Sequence, residues 1–366
     1  MSDKQPDYDI AIIGLGPAGA TLARLLSPDF RVIALDRKRT DAGGGFKKPC
    51  GGLLSKDAQK ALARFDLTLP KDVLVGPQIF AVKTIDLRSK LIRHYQRFYI
   101  NLDRDRFDRW LIGLIPNRVK ILWDCRCTSV KRTGCGFLIR YNEAGAEGCL
   151  TAKYAVGADG ANSLLRRVLY PNLGIRSYIS IQQWFKETHS SPFYSCIFDP
   201  DTSDCCSWSI SKDNVFIFGG AFPSDDPRGR LEAQKSKLKR EFGFRFREPI
   251  RTEACAVLRP SLTDRFCCGG EGAFLIGEAA GFISPSSLEG ISYAINSAHL
   301  LADVLNSGHN RSLNFAYRSK TLPIRMKLRL KALKLPFMYW PSVRKLIMES
   351  GLKAIKVTGR DDGGSL

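Results

Sequence analysis

The chain has 366 residues, 44% of them apolar, enough for a large core spread over one large or two modest domains. No segment approaches ~18 uninterrupted apolar residues, and the polar opening Met1-Ser2-Asp3-Lys4-Gln5-Pro6 is not a secretory signal, so neither a membrane span nor export is expected. The net charge of +20 asks for an anionic partner, while eleven cysteines without a C-x-x-C pair argue against zinc and for reduced thiols in a cytoplasmic protein.

The first element predicted is a buried strand over 8–13, broken sharply at Gly14. The pattern Gly14-x-Gly16-x-x-Gly19 follows and runs into a helical stretch. Strand, glycine turn and helix in that order form the dinucleotide fingerprint, in which unpaired helix N–H groups face a pyrophosphate. A second strand over 30–35 ends in Asp36, about 20 residues after the glycines, where an acid can bind a ribose hydroxyl. At this point NAD and FAD fit equally. Residues 37–52 read as a loop holding Gly43-Gly44-Gly45 and Lys47-Lys48-Pro49-Cys50-Gly51-Gly52. Its two lysines either meet phosphate or solvate the loop. Ser55 caps a helix predicted over 56–64. Short alternating strands occupy 73–99. A helix over 101–112 follows, its apolar positions 107, 110, 111 and 114 on one face. A strand over 119–123 and antiparallel strands over 125–141 and 149–156 lead to Gly157-Ala158-Asp159-Gly160.

Residues 171–264 alternate aromatics with small polar residues, which predicts a mixed sheet interrupted by a helix over 228–242. Those aromatics either line an apolar tunnel or form plain sheet core. Strand-into-helix features return over 272–281, followed by a long helix over 290–306. His94, His189, His299 and His309 suggest no catalytic arrangement. From 318 to 360 there are twelve Lys/Arg against Glu349 alone, interleaved with Leu, Phe, Tyr and Trp. That composition fits contact with an anionic membrane or an ordinary solvated helix better than a nucleic-acid groove.

Three separated glycine-rich points, Gly14–Gly19, Gly157–Gly160 and Gly277–Gly281, resemble in this order the flavoproteins of the aromatic-hydroxylase superfamily. Within it, Lys48-Pro49-Cys50-Gly51-Gly52, Arg104-x-x-Phe107-Asp108-x-x-Leu111 and the loop 281–294 are similar to the geranylgeranyl reductase family. The resemblance implies an α/β fold: a Rossmann-like FAD-binding domain over 1–75, 96–170 and 265–310. A mixed or antiparallel β-sheet substrate domain over 76–95 and 171–264 is inserted in it, and a basic helical C-terminal region spans 311–366. It also implies FAD contacts from Gly14, Gly16, Pro17, Ala18, Gly19, Asp36, Arg37, Pro49, Cys50, Gly51, Gly52, Arg104 and Cys127. Asp159, Gly160, Gly277, Glu278, Ala279, Gly281, Gly290 and Ile291 complete that set. Cys50, beside the flavin, is either a proton donor or gate or a packing thiol, and Trp208 belongs to the catalytic region. Three departures stand out. Glu278 replaces the usual Asp, Ser286-Ser287-Leu288 replaces a Thr/Gly-rich run, and Cys206-Ser207-Trp208-Ser209-Ile210-Ser211 replaces Tyr-x-Trp-x-Phe-Pro. The Trp-x-Trp-x-Ile-Pro signature of flavin halogenases is absent.

The activity implied is reduction of carbon–carbon double bonds in a long apolar isoprenoid or lipid. One complete glycine fingerprint leaves electrons to come from transiently bound NAD(P)H or a small redox protein. The alternatives are an NAD(P)H-dependent flavin monooxygenase and a flavin-binding, lipid-associated protein without turnover. No metal and no nucleic acid are expected, and the chain is placed in the cytoplasm, with membrane contact on the cytoplasmic face through 318–360.

Overall fold

A computed structural model describes residues 5–39, 48–186, 191–308 and 312–358. Gly43-Gly44-Gly45, Lys47, His189, His309 and the last residues of the basic region lie outside the described residues.

The strand Tyr8–Ile13 is central to an eight-stranded sheet. It pairs in parallel with Val32–Leu35 on one side and with the end of Ala146–Gly157 on the other. Lys120–Leu122 and Ala273–Leu275 extend the parallel array outward. All four residues of Val32–Leu35 are buried, as expected of a parallel strand covered on both faces. The Ala146–Gly157 strand belongs to two arrangements at once. It closes an antiparallel meander with Cys125–Thr133 and Gly136–Glu143, then continues into the parallel sheet.

The second sheet has nine strands and is mostly antiparallel, with one parallel pair between Ile79–Asp86 and Phe193–Phe198. The architecture is therefore a Rossmann-like α/β domain, a second mixed sheet and a helical C-terminal region. Strand Leu91–Asn101 crosses the boundary expected at 95/96, because its ladder to Ile79–Asp86 continues to Tyr99. Its end also pairs with the short strand Leu53–Leu54, so residues 96–101 belong to the second sheet.

The predicted helices form with small shifts. Ser55 Oγ accepts the Ala58 N–H at 3.3 Å to cap Lys56–Ala63. Asp103 accepts two N–H groups at the start of Arg104–Gly113, which buries Phe107 and Leu111 at a gain of about 1.5–3 kcal/mol per side chain. The stretch 272–281 departs from expectation. After Ala273–Leu275 comes only a short 3₁₀ turn, Gly277–Ala280. Gly281 ends it at φ +81°, and the long helix starts at Ile291. That helix, Ile291–Asn306, packs on Pro17–Leu25, burying Ala298, Leu301 and Leu305 in the main core.

The alternating aromatics of the second sheet divide between its faces. Phe185, Phe216 and Phe218 cluster with Phe244 and Phe246, ring centroids 5.0 Å apart for Phe218–Phe246. Leu231 and Leu238 of helix Pro227–Phe242 close over this cluster. Those phenylalanines are core. Tyr194, Trp208 and Ile210 lie on the opposite face, toward the parallel sheet.

Candidate active site

A cavity of about 1050 Å³ lies between the two sheets. Its first wall is the end of strand Tyr8–Ile13 and the glycine turn. Gly14 sits at φ +98°, and a Cβ there would stand 2.8 Å from the Ala158 carbonyl oxygen. A Cβ at Gly19 would collide with the Gly14 carbonyl. These two glycines serve packing. Gly16 differs: it lines the cavity, and an added Cβ would meet nothing within 4 Å. No contact among the described residues calls for glycine there, so the open space beside Gly16 is room for a ligand's approach. Gly16 caps helix Pro17–Leu25 without any side-chain acceptor, leaving the first N–H groups available to an anion.

Gly157–Gly160 comes against this turn as the sequence implies. Asp159 Oδ2 accepts the Leu164 N–H at 2.8 Å, while Oδ1 is buried without a partner. Burial raises the Asp159 pKa. Oδ1 turns toward Gly157, 3.3 Å from where a Cβ on that glycine would stand, while Asp159 as a residue lines the cavity. The third glycine segment also converges here, Gly277 packing on Ala18.

Of the residues expected to bind FAD, most line the cavity: Gly14, Gly16, Pro17, Ala18, Asp36, Arg37, Pro49, Cys50, Gly51, Gly52, Arg104, Cys127, Asp159, Gly160, Glu278, Gly290 and Ile291. Gly19, Gly277, Ala279 and Gly281 do not. Gly19 is pressed on Gly14, Gly281 faces Ile175 and Phe266, and the Ala279 carbonyl accepts from Arg166 at 3.0 Å. The spacing of these four gives the turns their shape; it does not put them at the surface of the cavity.

Three acids and bases are engaged differently from expectation. Asp36 takes the Leu15 N–H on Oδ2 and the Lys38 N–H on Oδ1 at 2.7 Å, so it braces the glycine turn as well as facing the cavity. Lys48, expected at phosphate or in solvent, forms an ion pair with Glu278. Glu278 also accepts the Leu258 N–H at 2.9 Å. The extra methylene relative to Asp carries this carboxylate across to strand Arg251–Leu258, and it thereby clasps the two sheets together. Burial opposes the Lys48 charge, but Glu278 outweighs it and the Lys48 pKa is raised.

Cys50–Gly52 runs where the sheets meet. A Cβ at Gly51 would stand 2.8 Å from Ile210 Cδ1, and Gly52 is closed in by Leu102 and Lys212. Cys50 Sγ accepts the Gly52 N–H at 3.4 Å. Arg104, beside Cys50, donates to Asp108 at 2.8 Å; burial works against its charge, and Asp108 keeps its pKa raised. Trp208 stands on the far wall and donates to Gln182 at 3.3 Å. Cys127 also lines the cavity, and burial, reinforced by the Asp159 carboxylate, pushes its thiol up to about 12.

Several neighbours in the site carry no signal in the sequence. Lys212 is buried beneath Gly52 and donates at 2.6 Å to both Asn101 Oδ1 and the Leu102 carbonyl. Burial pulls its pKa down to about 8, against the opposing pull of Cys50. Nothing in the strand pattern marks it except its buried register on Ser207–Lys212. Cys255 lines the cavity with its thiol pushed up to about 11 by burial. Tyr99 and Tyr194 stack edge to face at 5.8 Å on the same wall. Glu289, accepting the Ser292 N–H at the start of the long helix, is half-buried, and the desolvation raises its pKa. Of the four histidines, His94 packs on Phe193 and His299 on Phe65.

No protein-family model matches the chain. Among solved structures, the chain is similar to a geranylgeranyl bacteriochlorophyll reductase-like protein of Thermoplasma acidophilum, at TM-score 0.75 and 17% identity over 94% of this chain and 89% of that one. PqsL of Pseudomonas aeruginosa, given as a probable FAD-dependent monooxygenase, matches at TM-score 0.66 and 19% identity over 94% and 99%. The flavin-dependent brominase Bmp2 matches at 0.66 and 19% over 93% and 92%. Reductase-like, monooxygenase and halogenase scaffolds are thus all similar to it. The fold is that of the FAD-dependent flavoproteins, without narrowing to the geranylgeranyl reductase family. Protein CbrA of Escherichia coli O157:H7 is 51% identical over 348 residues, 95% of this chain and 98% of the relative. CbrA of Shigella sonnei matches at the same identity and coverage. The chain belongs to the CbrA family.

Proposed function

We propose that this CbrA-family protein is an FAD-dependent oxidoreductase that reduces carbon–carbon double bonds of an isoprenoid or lipid. One observation carries the reading: a single cavity joins a dinucleotide-type glycine turn to an apolar, aromatic wall from the second sheet. The residues present fit FAD. Gly16 leaves open space, the uncapped helix Pro17–Leu25 offers N–H groups for the pyrophosphate, and Asp159 and Gly160 line the same cavity. Bound FAD would supply hydride transfer. The chain's own part is to hold, orient and exclude water. Glu278 with Lys48 ties the sheets together, and Tyr99, Tyr194, Trp208 and Ile210 offer an apolar surface to a long chain. Alkene reduction also needs a proton on the second carbon, and Cys50, at the seam between the two walls, is the group assigned to hold it.

The test is anaerobic. Protein reconstituted with FAD and photoreduced is mixed with a polyprenyl compound, and rapid return of the oxidised flavin spectrum is expected. Oxygen uptake stoichiometric with product would overturn the reductase reading in favour of a monooxygenase. A fully reconstituted flavin that no lipid reoxidises would favour a binding protein without turnover. Mass spectrometry of lipid extracted with the purified protein identifies the substrate class.

A further inference from the structure

Four helices, Leu313–Lys320, Leu322–Leu333, Leu335–Tyr339 and Pro341–Glu349, precede the closing strand Ala354–Ile355. Helix Leu322–Leu333 has two apolar faces. Leu328 and Ala332 are buried inward. Facing outward, Leu322, Met326, Leu330 and Leu333 are each between 47% and 54% exposed. Their spacings of four, four and three residues make one stripe along the helix. The row continues beyond the helix into Phe337 and Trp340, 62% and 60% exposed. Single exposed leucines are ordinary on a protein surface, but a continuous row ending in Phe and Trp is an unpartnered face.

We propose that this face docks on the surface of an anionic lipid bilayer. Charge decides the occupant. From 304 to 348 the chain contains no Asp or Glu. Lys327, Arg329 and Lys334 are exposed on the same segment, and Arg329 and Lys334 stand three or four residues from members of the stripe. A second copy of this chain would set like charges against each other, and a nucleic acid would have no use for the apolar row. An apolar stripe flanked by cations is what lies in a headgroup region, acyl chains below and phosphates beside it. No helix among the described residues is long and apolar enough to cross a membrane, so the contact is interfacial.

The docking face also rests on the cavity wall. Tyr339 Oη donates to the Ser286 carbonyl at 2.6 Å, and Lys331 Nζ lies 5.3 Å over the Tyr293 ring. Ser287, Leu288, Glu289 and Gly290 line the cavity. Bilayer docking therefore sets the lipid against the helices that support one wall of the cavity, and it stands independently of which cofactor the cavity takes.

The full chain is sedimented with phosphatidylcholine vesicles with and without phosphatidylglycerol, over a range of salt. Binding to the anionic vesicles that weakens as salt rises is expected. Arg329→Gln with Lys334→Gln should weaken it about 25-fold at low salt, from about fivefold per cation. Leu330→Glu with Phe337→Glu should weaken it at least about tenfold while the unfolding midpoint holds. Should the Glu variant lose its fold, the charge variant, which leaves the apolar row intact, decides alone. The proposal is overturned by equal binding to neutral vesicles, or by variants that bind like the parent. Self-association abolished by Leu330→Glu without vesicle binding would make the face an interface between copies, and would equally overturn it.

Discussion

Replacing Lys212 by Met should change how the stability of this protein depends on pH. Burial holds the Lys212 pKa at about 8 in the folded chain, against 10.5 for an ordinary lysine. Between those values the unfolded chain binds the proton and the folded chain does not, so the Lys212 contribution to stability rises with pH. Below pH 8 both states carry the charge and the penalty of burying it is fully present. From about pH 7 to 10 the penalty is relieved by about 2–3 kcal/mol, taking 1.36 kcal/mol per pKa unit. Met fills the aliphatic path but strands Asn101 Oδ1 and the Leu102 carbonyl, which costs about 1–3 kcal/mol each at every pH. The observable is therefore the slope of the difference, not its sign. Urea unfolding of parent and Lys212→Met at pH 7, 8, 9 and 10 gives that difference directly, because the raised tyrosines and thiols titrate in both. A difference that stays flat across the range would refute a buried, titrating Lys212.

Other expectations follow from the same geometry. Gly16→Ala should leave the stability of the FAD-free protein within about 0.5 kcal/mol, since its Cβ meets nothing, yet weaken FAD reconstitution followed by flavin absorbance; Gly16→Asp should abolish it. Gly19→Ala, whose Cβ would overlap the Gly14 carbonyl, should instead fail in solubility and thermal melting before cofactor binding is at issue. Glu278→Ala frees Lys48 and the Leu258 N–H and should cost about 2–4 kcal/mol in denaturant unfolding. Cys50→Ala should keep the flavin spectrum and slow anaerobic reoxidation by a polyprenyl compound about 10²–10⁴-fold, and an unchanged rate would return Cys50 to a packing role.

How much of this was legible in the sequence depends on the range over which each feature is decided. Gly14 and Asp159 were readable because each answers to a local backbone requirement within a few residues, and Gly16 because the fingerprint spacing carries it. The helix cap Ser55 was readable for the same reason, whereas Asp103, inside the helix expected over 101–112, proved to be the cap. The domain boundary at 95/96 was not, because the end of Leu91–Asn101 is held by Leu53–Leu54, nearly fifty residues earlier. Lys212 and Cys255 were illegible on their own strands. Their chemistry comes from the Cys50–Gly52 loop and from Lys48, contributed by distant parts of the chain. The aromatics of the second sheet were ambiguous because alternation reveals that two faces exist and not what covers each. The helix Pro227–Phe242 settled it by covering the phenylalanine face.

The walls of the cavity carry a consequence for the order of assembly. They are drawn from residues 13–55, 99–108, 125–167, 180–210 and 255–294, so the contacts that close it are among the most distant in sequence. Contacts of long sequence separation form late, since their loop-closure entropy has to be overcome first. A chain emerging in order from the ribosome has its glycine turn early but lacks Glu278 and the long helix behind that turn until nearly three hundred residues exist. Ligand capture therefore belongs to the end of folding, and a ligand that binds only the completed cavity stabilises both sheets as one cooperative unit.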